Sequence, residues 1–335
     1  MPYPPISFLV LVLTTRCNLK CGYCYNGDLP PQDMDPLVLT AAFEVAAKGQ
    51  GPLKVQMTGG EPTLVPELIV AVAEKALKLA RPYRLSLQTN ATLLDRSLVK
   101  TLKKLNVAVG VSLDGPPAVN EALRGQTRAV LAGLSALDEE LWPFTTTSVV
   151  SAANCQALDQ LPLLLGSRPA AVGLGLDLLV AKGRGLALKA PDPQSLANGV
   201  GQLGAALDFI NARRRTPLRL REERFLAQAA LGPKAFCAAC EGESLAVTPT
   251  GQVYPCGQTA FNEDLALGSI FKGPIKAKPL VGLSLSGPNC QACFLKGRCP
   301  GECPSRLYLN QGLEPFLACA MYQALARRLL PKSPK

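Results

Sequence analysis

The sequence predicts an α/β fold, a partial (β/α)6 barrel followed by a cysteine-rich C-terminal region, and three observations carry that expectation. From Ile6 to about Val180, short β-rich apolar runs alternate with helical patterns, as repeated βα units around a parallel sheet require. Pro191, Pro193 and Pro217 then break a helical stretch into two helices leaving the barrel. From Cys237 to Tyr322 eight cysteines mix with Gly and Pro with little periodicity, the composition of a region that needs metal to fold.

Taken in order, the apolar runs place strands at 8–14, 53–58, 84–89, 107–113, 144–149 and 171–178. Helical patterns fall between them at 36–48, 66–80, 95–105, 120–136 and 154–165. The expected division is a barrel over 1–190, a helical bridge over 191–236, and a metal-binding domain with a C-terminal tail over 237–335. In βα barrels chemistry sits on the loops after the strands. Every polar motif in the first half lies at or just past a strand end: Cys17–Cys24, Gly59–Glu61, Gln88–Asn90 and Ser112–Gly115.

Composition narrows the chemistry. The chain has 335 residues, 12 Cys and no His, which removes His-based triads and mixed Cys/His zinc sites. The apolar N-terminal run, Ile6 to Leu13, is too short to span a membrane, and Thr14, Thr15 and Arg16 follow it without a small-residue cleavage site. A cytoplasmic protein with no membrane partner is expected, so its cysteines read as metal ligands rather than disulfides. The formal charge is +10, but apart from Arg213–Arg215 and the C-terminus the basic residues are scattered and lack aromatic interleaving, so no nucleic-acid partner is expected.

The run Cys17-Asn-Leu-Lys-Cys21-Gly-Tyr-Cys24 gathers three thiols on one loop, with the next cysteine as distant as Cys155. Three thiolates on a [4Fe–4S] cubane leave one iron open, whereas an electron carrier is closed by a fourth. A zinc site or three core cysteines remain alternatives on spacing alone. One βα unit later comes Met57-Thr-Gly59-Gly60-Glu61-Pro62, two glycines permitting close backbone approach beside a carboxylate. Gln88-Thr-Asn90 and Ser112-Leu-Asp114-Gly-Pro116 follow at later strand ends, with Asn120 and Arg124 beyond them.

Together these runs resemble the radical SAM superfamily, whose C-x3-C-x2-C signature includes an aromatic residue at the position of Tyr23. The resemblance implies a partial TIM barrel, a first [4Fe–4S] cluster on Cys17, Cys21 and Cys24, and S-adenosylmethionine chelated by its open iron. It also implies cofactor contacts from Tyr23, Gly59, Gly60, Glu61, Gln88, Asn90, Ser112 and Asp114, with the Gly-Gly-Glu turn holding the methionyl ammonium. Polar residues at strand ends are also commonly helix caps.

The C-terminal array reads Cys237-x2-Cys240, Cys256, Cys290-x2-Cys293-x5-Cys299-x3-Cys303 and Cys319. Eight thiols are what two four-thiolate clusters need; a pair of all-cysteine zinc sites needs the same number. The array resembles the SPASM extension of radical SAM maturases, which implies three [4Fe–4S] clusters in all. It further implies Cys237, Cys240, Cys256 and Cys303 on an inner auxiliary cluster and Cys290, Cys293, Cys299 and Cys319 on an outer one. Cys155 opens a predicted helix in apolar surroundings and reads as packing.

Anaerobic sulfatase maturases resemble the chain over most of its length, but they carry an aspartate directly after the cysteine of Tyr-Pro-Cys, where Gly257 stands here. Forming formylglycine requires removal of a proton, and Glu241, Glu243, Glu263 and Asp264 are the nearby substitutes. The resemblance therefore implies a maturase that oxidatively modifies a ribosomally made precursor peptide or protein, through a thioether or carbon–carbon crosslink. Formylglycine formation, a small-molecule radical reaction and a non-enzymatic iron–sulfur or zinc scaffold are the alternatives. The implied partners are the peptide, a reductant such as flavodoxin or ferredoxin, and a separate leader-binding protein, because the first strand begins within a few residues of Met1.

Overall fold

The structure is a computed structural model that describes residues 5–232, 235–274, 280–283, 288–310 and 317–329; residues 330–335 of the expected tail lie outside them. All six barrel strands form: β1 (Phe8–Thr14), β2 (Leu53–Gly59), β3 (Tyr83–Thr89), β4 (Val107–Ser112), β5 (Phe144–Val150) and β6 (Ala171–Leu178). Each pairs with the next in parallel. Parallel strands are covered on both faces, so β1 reads as an unbroken apolar run. Leu9, Leu11 and Leu13 enter the main core under the helices, while Val10 packs on the opposite face with Ala246, Tyr254 and Ala260.

The helices start where capping chemistry allows. In α1 (Pro36–Ala47) Asp35 accepts from the Leu37 N–H, and in α3 (Arg96–Lys104) Asp95 accepts from the Leu98 N–H, each at 2.7 Å; such caps satisfy donors that no helical partner can reach. Between them α2 (Pro66–Ala76) begins with proline at its first position, where the missing N–H costs nothing. The helix expected at 120–136 is two, α4 (Pro117–Arg124) and α5 (Thr127–Glu139). Gly125 and Gln126 between them have φ of 79° and 50°, left-handed values that no α-helix continues through. The pattern at 154–165 resolves into a 3-10 turn, Cys155–Ala157, and α6 (Gln160–Gly166).

Beyond β6 the bridge contains the two expected helices, α7 (Pro193–Asn211) and α8 (Arg221–Ala230), but a short β7 (Arg219–Leu220) rejoins the sheet beside β6. In the cysteine-rich region α9 (Ala238–Glu241) leads into β8 (Ser244–Val247), which pairs in parallel with β1, and β9 (Gln252–Tyr254) folds back on β8. With β10 (Gly268–Ser269) and β11 (Gly273–Pro274) the sheet order is β11-β10-β9-β8-β1-β2-β3-β4-β5-β6-β7, open at both ends. The last described elements are α10 (Pro288–Gln291), α11 (Pro304–Leu309) and α12 (Leu317–Leu329). Leu317, Met321 and Leu325 of α12 share the main core with Leu196, Val200 and Leu203 of α7, so hydrogen bonds and packing both cross residues 190 and 237. Among the described residues no helix is long and apolar enough to cross a membrane.

Candidate active site

The loop leaving β1 carries Cys17, Cys21 and Cys24 and is held at several points. Gly60 N–H donates to Thr14 O at 2.7 Å and Glu61 N–H to Arg16 O at 2.8 Å. A Cβ on Gly60 would lie 2.1 Å from Arg16 O, so only glycine lets the β2 turn close on the cysteine loop. Asn18 is fixed from the next strand end, accepting from Asn90 Nδ2 at 2.9 Å and donating to Thr92 Oγ1 at 2.7 Å. Cys17 is exposed and Cys21 and Cys24 half-buried. The Cys17 thiol nevertheless stands in a recess, where burial pushes it up to about 11, with Glu61, Cys21 and Cys24 adding to the rise.

The carboxylates named from sequence are turned inward. Glu61 is 1% exposed; its Oε1 accepts from Thr63 N–H, Thr63 Oγ1 and Thr89 Oγ1, and its Oε2 from Asn90 N–H at 2.6 Å. It thus ties the end of β2 to the end of β3. Asp114 has no exposed surface. Its Oδ2 accepts from Tyr23 Oη and from Arg124 Nε at 2.8 Å, and its Oδ1 from Val149 N–H at 2.9 Å. Every oxygen of the two carboxylates therefore meets at least one donor from the protein, as buried charge demands.

Arg124 extends this network to the cysteine loop. Its guanidinium lies 5.1 Å from the centre of the Tyr23 ring and 3.8 Å from Cys21 Sγ. Burial pushes the Cys21 thiol up, and Arg124 pulls it back down. Gln88 and Ser112 pair across β3 and β4 at 3.0 Å, half-buried at the same sheet end. The structure thus brings the sequence-named residues into three groups: Tyr23 with Asp114, Glu61 with Asn90, and Gln88 with Ser112.

A strap after β6, unremarked in the sequence, closes over the same loop. Arg184 N–H donates to Cys24 O at 3.0 Å and its Nε to Cys21 O at 2.9 Å, while its Nη1 pairs with Asp28 at 2.7 Å. Gly183 has φ 57°, and a Cβ there would lie 2.6 Å from Cys24 O. Lys182 places its ammonium 5.5 Å from the centre of the Tyr25 ring and donates to Gln258 O at 3.1 Å and to Ala260 O. Burial lowers its ammonium to about 8 against the opposing pull of Cys256 and Cys24. One segment therefore links the first cysteine loop to the loop after Cys256. The sequence signal was Lys182-Gly-Arg-Gly185 just past a strand end.

The C-terminal thiols fall into two neighbourhoods. The Cys237 and Cys240 sulfurs are 4.0 Å apart and share a hydrogen bond that raises Cys237 and lowers Cys240, with Cys303 also opposing ionisation of Cys237. Cys303 is pushed up to about 11 by burial and then by Cys256. Separately, Cys319 is pushed up to about 11 by burial and then by Cys299, Cys290 and Cys293. Donors already face several sulfurs: Leu19 N–H reaches Cys17 at 3.4 Å, Leu295 N–H Cys293 at 3.5 Å and Gly301 N–H Cys299 at 3.4 Å. Such donors stabilise thiolates and tune iron–sulfur centres, so these residues suit the clusters. None of the twelve cysteines, all of which lie within the described residues, forms a disulfide. Among the described residues no three Cys, Asp or Glu side chains converge on a single ion. Cys155 is buried in the main core.

Residues 11–150 match the Radical SAM superfamily. The chain is 26% identical to a serine-type anaerobic sulfatase-maturating enzyme of Klebsiella aerogenes, over 99% of this chain and 88% of that protein. It is 27% identical to an uncharacterized protein of Methanocaldococcus jannaschii, over 75% and 85%. Among solved structures it is similar to anSMEcpe with bound AdoMet and Kp18Cys peptide, with TM-score 0.79, 23% identity and coverage of 97% and 96%. Streptococcus suis SuiB bound to S-adenosylmethionine matches with TM-score 0.67 and 19% identity, over 92% of this chain and 74% of that one. At these identities the structural likenesses speak for the fold.

Proposed function

We propose that this chain, which carries a radical SAM domain over residues 11–150, oxidatively modifies a residue of a ribosomally made peptide or protein. The observation that carries this reading is the strap: Gly183 and Arg184 seat the Cys17–Cys24 loop, and Lys182 of the same segment holds the loop after Cys256. Such a tie suits one reaction shared between a radical-generating centre and an electron-accepting one.

In this reading Cys17, Cys21 and Cys24 hold a [4Fe–4S] cluster, and the two C-terminal foursomes hold two more. When bound, the first cluster with S-adenosylmethionine supplies a 5′-deoxyadenosyl radical, chemistry that belongs to the cofactor. Gly59, Gly60, Gln88, Asn90 and Ser112 shape the cofactor's side of the mouth. Glu61 and Asp114, with their oxygens already engaged, orient that shell rather than touch the cofactor. Tyr23 is fixed by Asp114 and Arg124 beside Cys21. A flavodoxin or ferredoxin supplies electrons, in the cytoplasm.

Formylglycine formation is the second reading, favoured by the 99% coverage in the match to the Klebsiella aerogenes enzyme. Against it stands Gly257, and packing does not force that glycine: a Cβ there would meet only Val10 Cγ1, at 3.4 Å. Of the nearby substitutes, Glu241, Glu263 and Asp264 are exposed, and Glu243 precedes β8, its carbonyl accepting from Ser7 and Phe8 N–H at the start of β1.

Anaerobic reconstitution tests the proposal. About twelve irons per chain are expected from three cubanes, together with 5′-deoxyadenosine from S-adenosylmethionine. Reductive cleavage that persists after Cys17, Cys21 and Cys24 are all replaced by Ala would sink it. Mass spectrometry of a candidate precursor separates the readings: a crosslink removes two hydrogens between two residues, whereas formylglycine alters one Ser or Cys.

A further inference from the structure

A cavity of about 150 Å³ lies beside Cys303, between the end of β6, the start of α8, and helices α11 and α12. Cys303, given above to the inner auxiliary cluster, lines it, whereas none of the residues named for S-adenosylmethionine does. Its walls are mixed: Leu178, Phe225 and Tyr322 give an apolar side, and five charged side chains give the other.

Those charges do not cancel. Two guanidinium groups, Arg221 and Arg306, stand against three carboxyls, Asp177, Glu222 and Glu302, one more acid than base among the lining residues; burial pushes the Glu222 carboxyl up, and Arg221 beside it holds it down. Arg221 is shared, its Nη2 reaching Asp177 Oδ1 at 2.7 Å and its Nε reaching Glu222 Oε1 at 2.8 Å. Glu302 Oε1 faces Arg306 Nε at 3.4 Å and accepts from Cys303 N–H at 2.8 Å. The excess therefore belongs to the Asp177–Arg221–Glu222 group.

Within that group Glu222 stands out. It is 1% exposed, and its Oε1 also accepts from Leu176 N–H at 3.1 Å, yet Oε2 has no hydrogen-bond partner. A buried carboxylate oxygen without a donor costs free energy that a ligand's N–H recovers. Asp177, also in the lining, is more open, its side chain 40% exposed.

We propose that this cavity is a binding site for a primary alkylammonium group, its N–H donors shared between Glu222 and Asp177 and its methylenes lying along Phe225 and Tyr322. A cation answers the excess charge, and a compact ammonium suits a space of this size better than a planar guanidinium. On the proposed function above, the group is a lysine side chain or the N-terminus of the peptide substrate.

The test uses the cluster-loaded full chain under anaerobic conditions, with n-butylammonium, n-butanol and n-butyrate as probes at constant ionic strength. A ligand that binds only the folded chain raises its thermal midpoint in a saturable way. Butylammonium should saturate at least about ten-fold below butanol, the factor that ~1.4 kcal/mol of charge-assisted bonding gives, and butyrate should have no effect. Glu222→Gln keeps the Oε1 acceptor and should abolish the preference for the amine; Asp177→Asn, at a partly exposed position, should weaken it and carries the test if the first variant does not fold. Equal responses to butanol and butylammonium, or an undiminished preference in both variants, overturn the site. The measurement needs no radical chemistry, so its failure leaves the proposed reaction standing, and absence of 5′-deoxyadenosine leaves the amine site standing.

Discussion

Replacing Arg124 by Met removes one partner of a buried ion pair while keeping most of the side chain's volume. In the native chain Arg124 Nε sits 2.8 Å from Asp114 Oδ2, with side-chain exposures of 8% and 0%. At that separation two unit charges attract by about 6 kcal/mol at an effective dielectric of 20, an upper bound because both were taken out of water. Breaking such a pair by removing one partner costs about 3–5 kcal/mol, since the remaining charge is left buried. Asp114 keeps the Val149 N–H and the Tyr23 hydroxyl, so a loss near the lower end, about 3 kcal/mol, is expected. Equilibrium unfolding of the anaerobic chain in urea measures it, and Asp114→Asn combined with Arg124→Met should restore about half or more, because no lone charge then remains. A single-variant loss under about 1 kcal/mol, the scale of an exposed pair, would refute the reasoning. So would a double variant that loses the sum of the two singles.

Gly183→Ala should loosen the first cysteine loop: its φ of 57° costs an L-residue about 1–2 kcal/mol, and the Cβ meets Cys24 O at 2.6 Å. Fewer irons per chain, with the loss confined to the S-adenosylmethionine-responsive signal in electron paramagnetic resonance, checks it. Lys182→Met should uncouple the two loops by leaving Gln258 O and Ala260 O without their donor, read as a fall of about 1–3 kcal/mol in stability. In the metal-free chain, Cys17 and Cys319 rise from 9.0 to about 11; the folded form then holds protons that the unfolded form releases, so stability falls as pH rises from 9 toward 11. On the proposed cluster ligation, which takes thiolates, cluster uptake should instead improve with rising pH below that window. Urea midpoints and iron-loading rates across pH 7 to 10 separate these opposite trends.

Much of this protein is legible locally. The six strands follow from runs such as Phe8–Thr14, whose pattern suits burial on both faces, and the cysteine loop follows from spacing, because three thiols within eight residues must share one loop. The sequence mark of the split between α4 and α5 is Gly125, φ 79°, but a lone glycine inside a helical pattern is also tolerated, and Gln126 at φ 50° carries no side-chain signal of the turn. β7 and β8 were missed because segments of two to four residues carry too little periodicity; pairing with β6 and β1 makes them strands.

The roles of the carboxylates lay beyond the sequence for a different reason. Glu61 and Asp114 read as cofactor contacts or helix caps, and the donors that meet them in the fold come from Thr89 at the end of β3 and Asn90 just past it, Tyr23 on the first loop, Val149 on β5 and Arg124 on α4. Lys182, distant in sequence from Ala260, and Glu222, beside Cys303 in one cavity, obtain their surroundings the same way. The sequence alone determined the alternation of strands and helices and the residue types available for metal, because periodicity and spacing are properties of neighbouring residues. Which charge is spent inside the protein and which is left facing a cavity was decided only by tertiary structure, because hydrogen bonds and burial depend on residues that folding brings together.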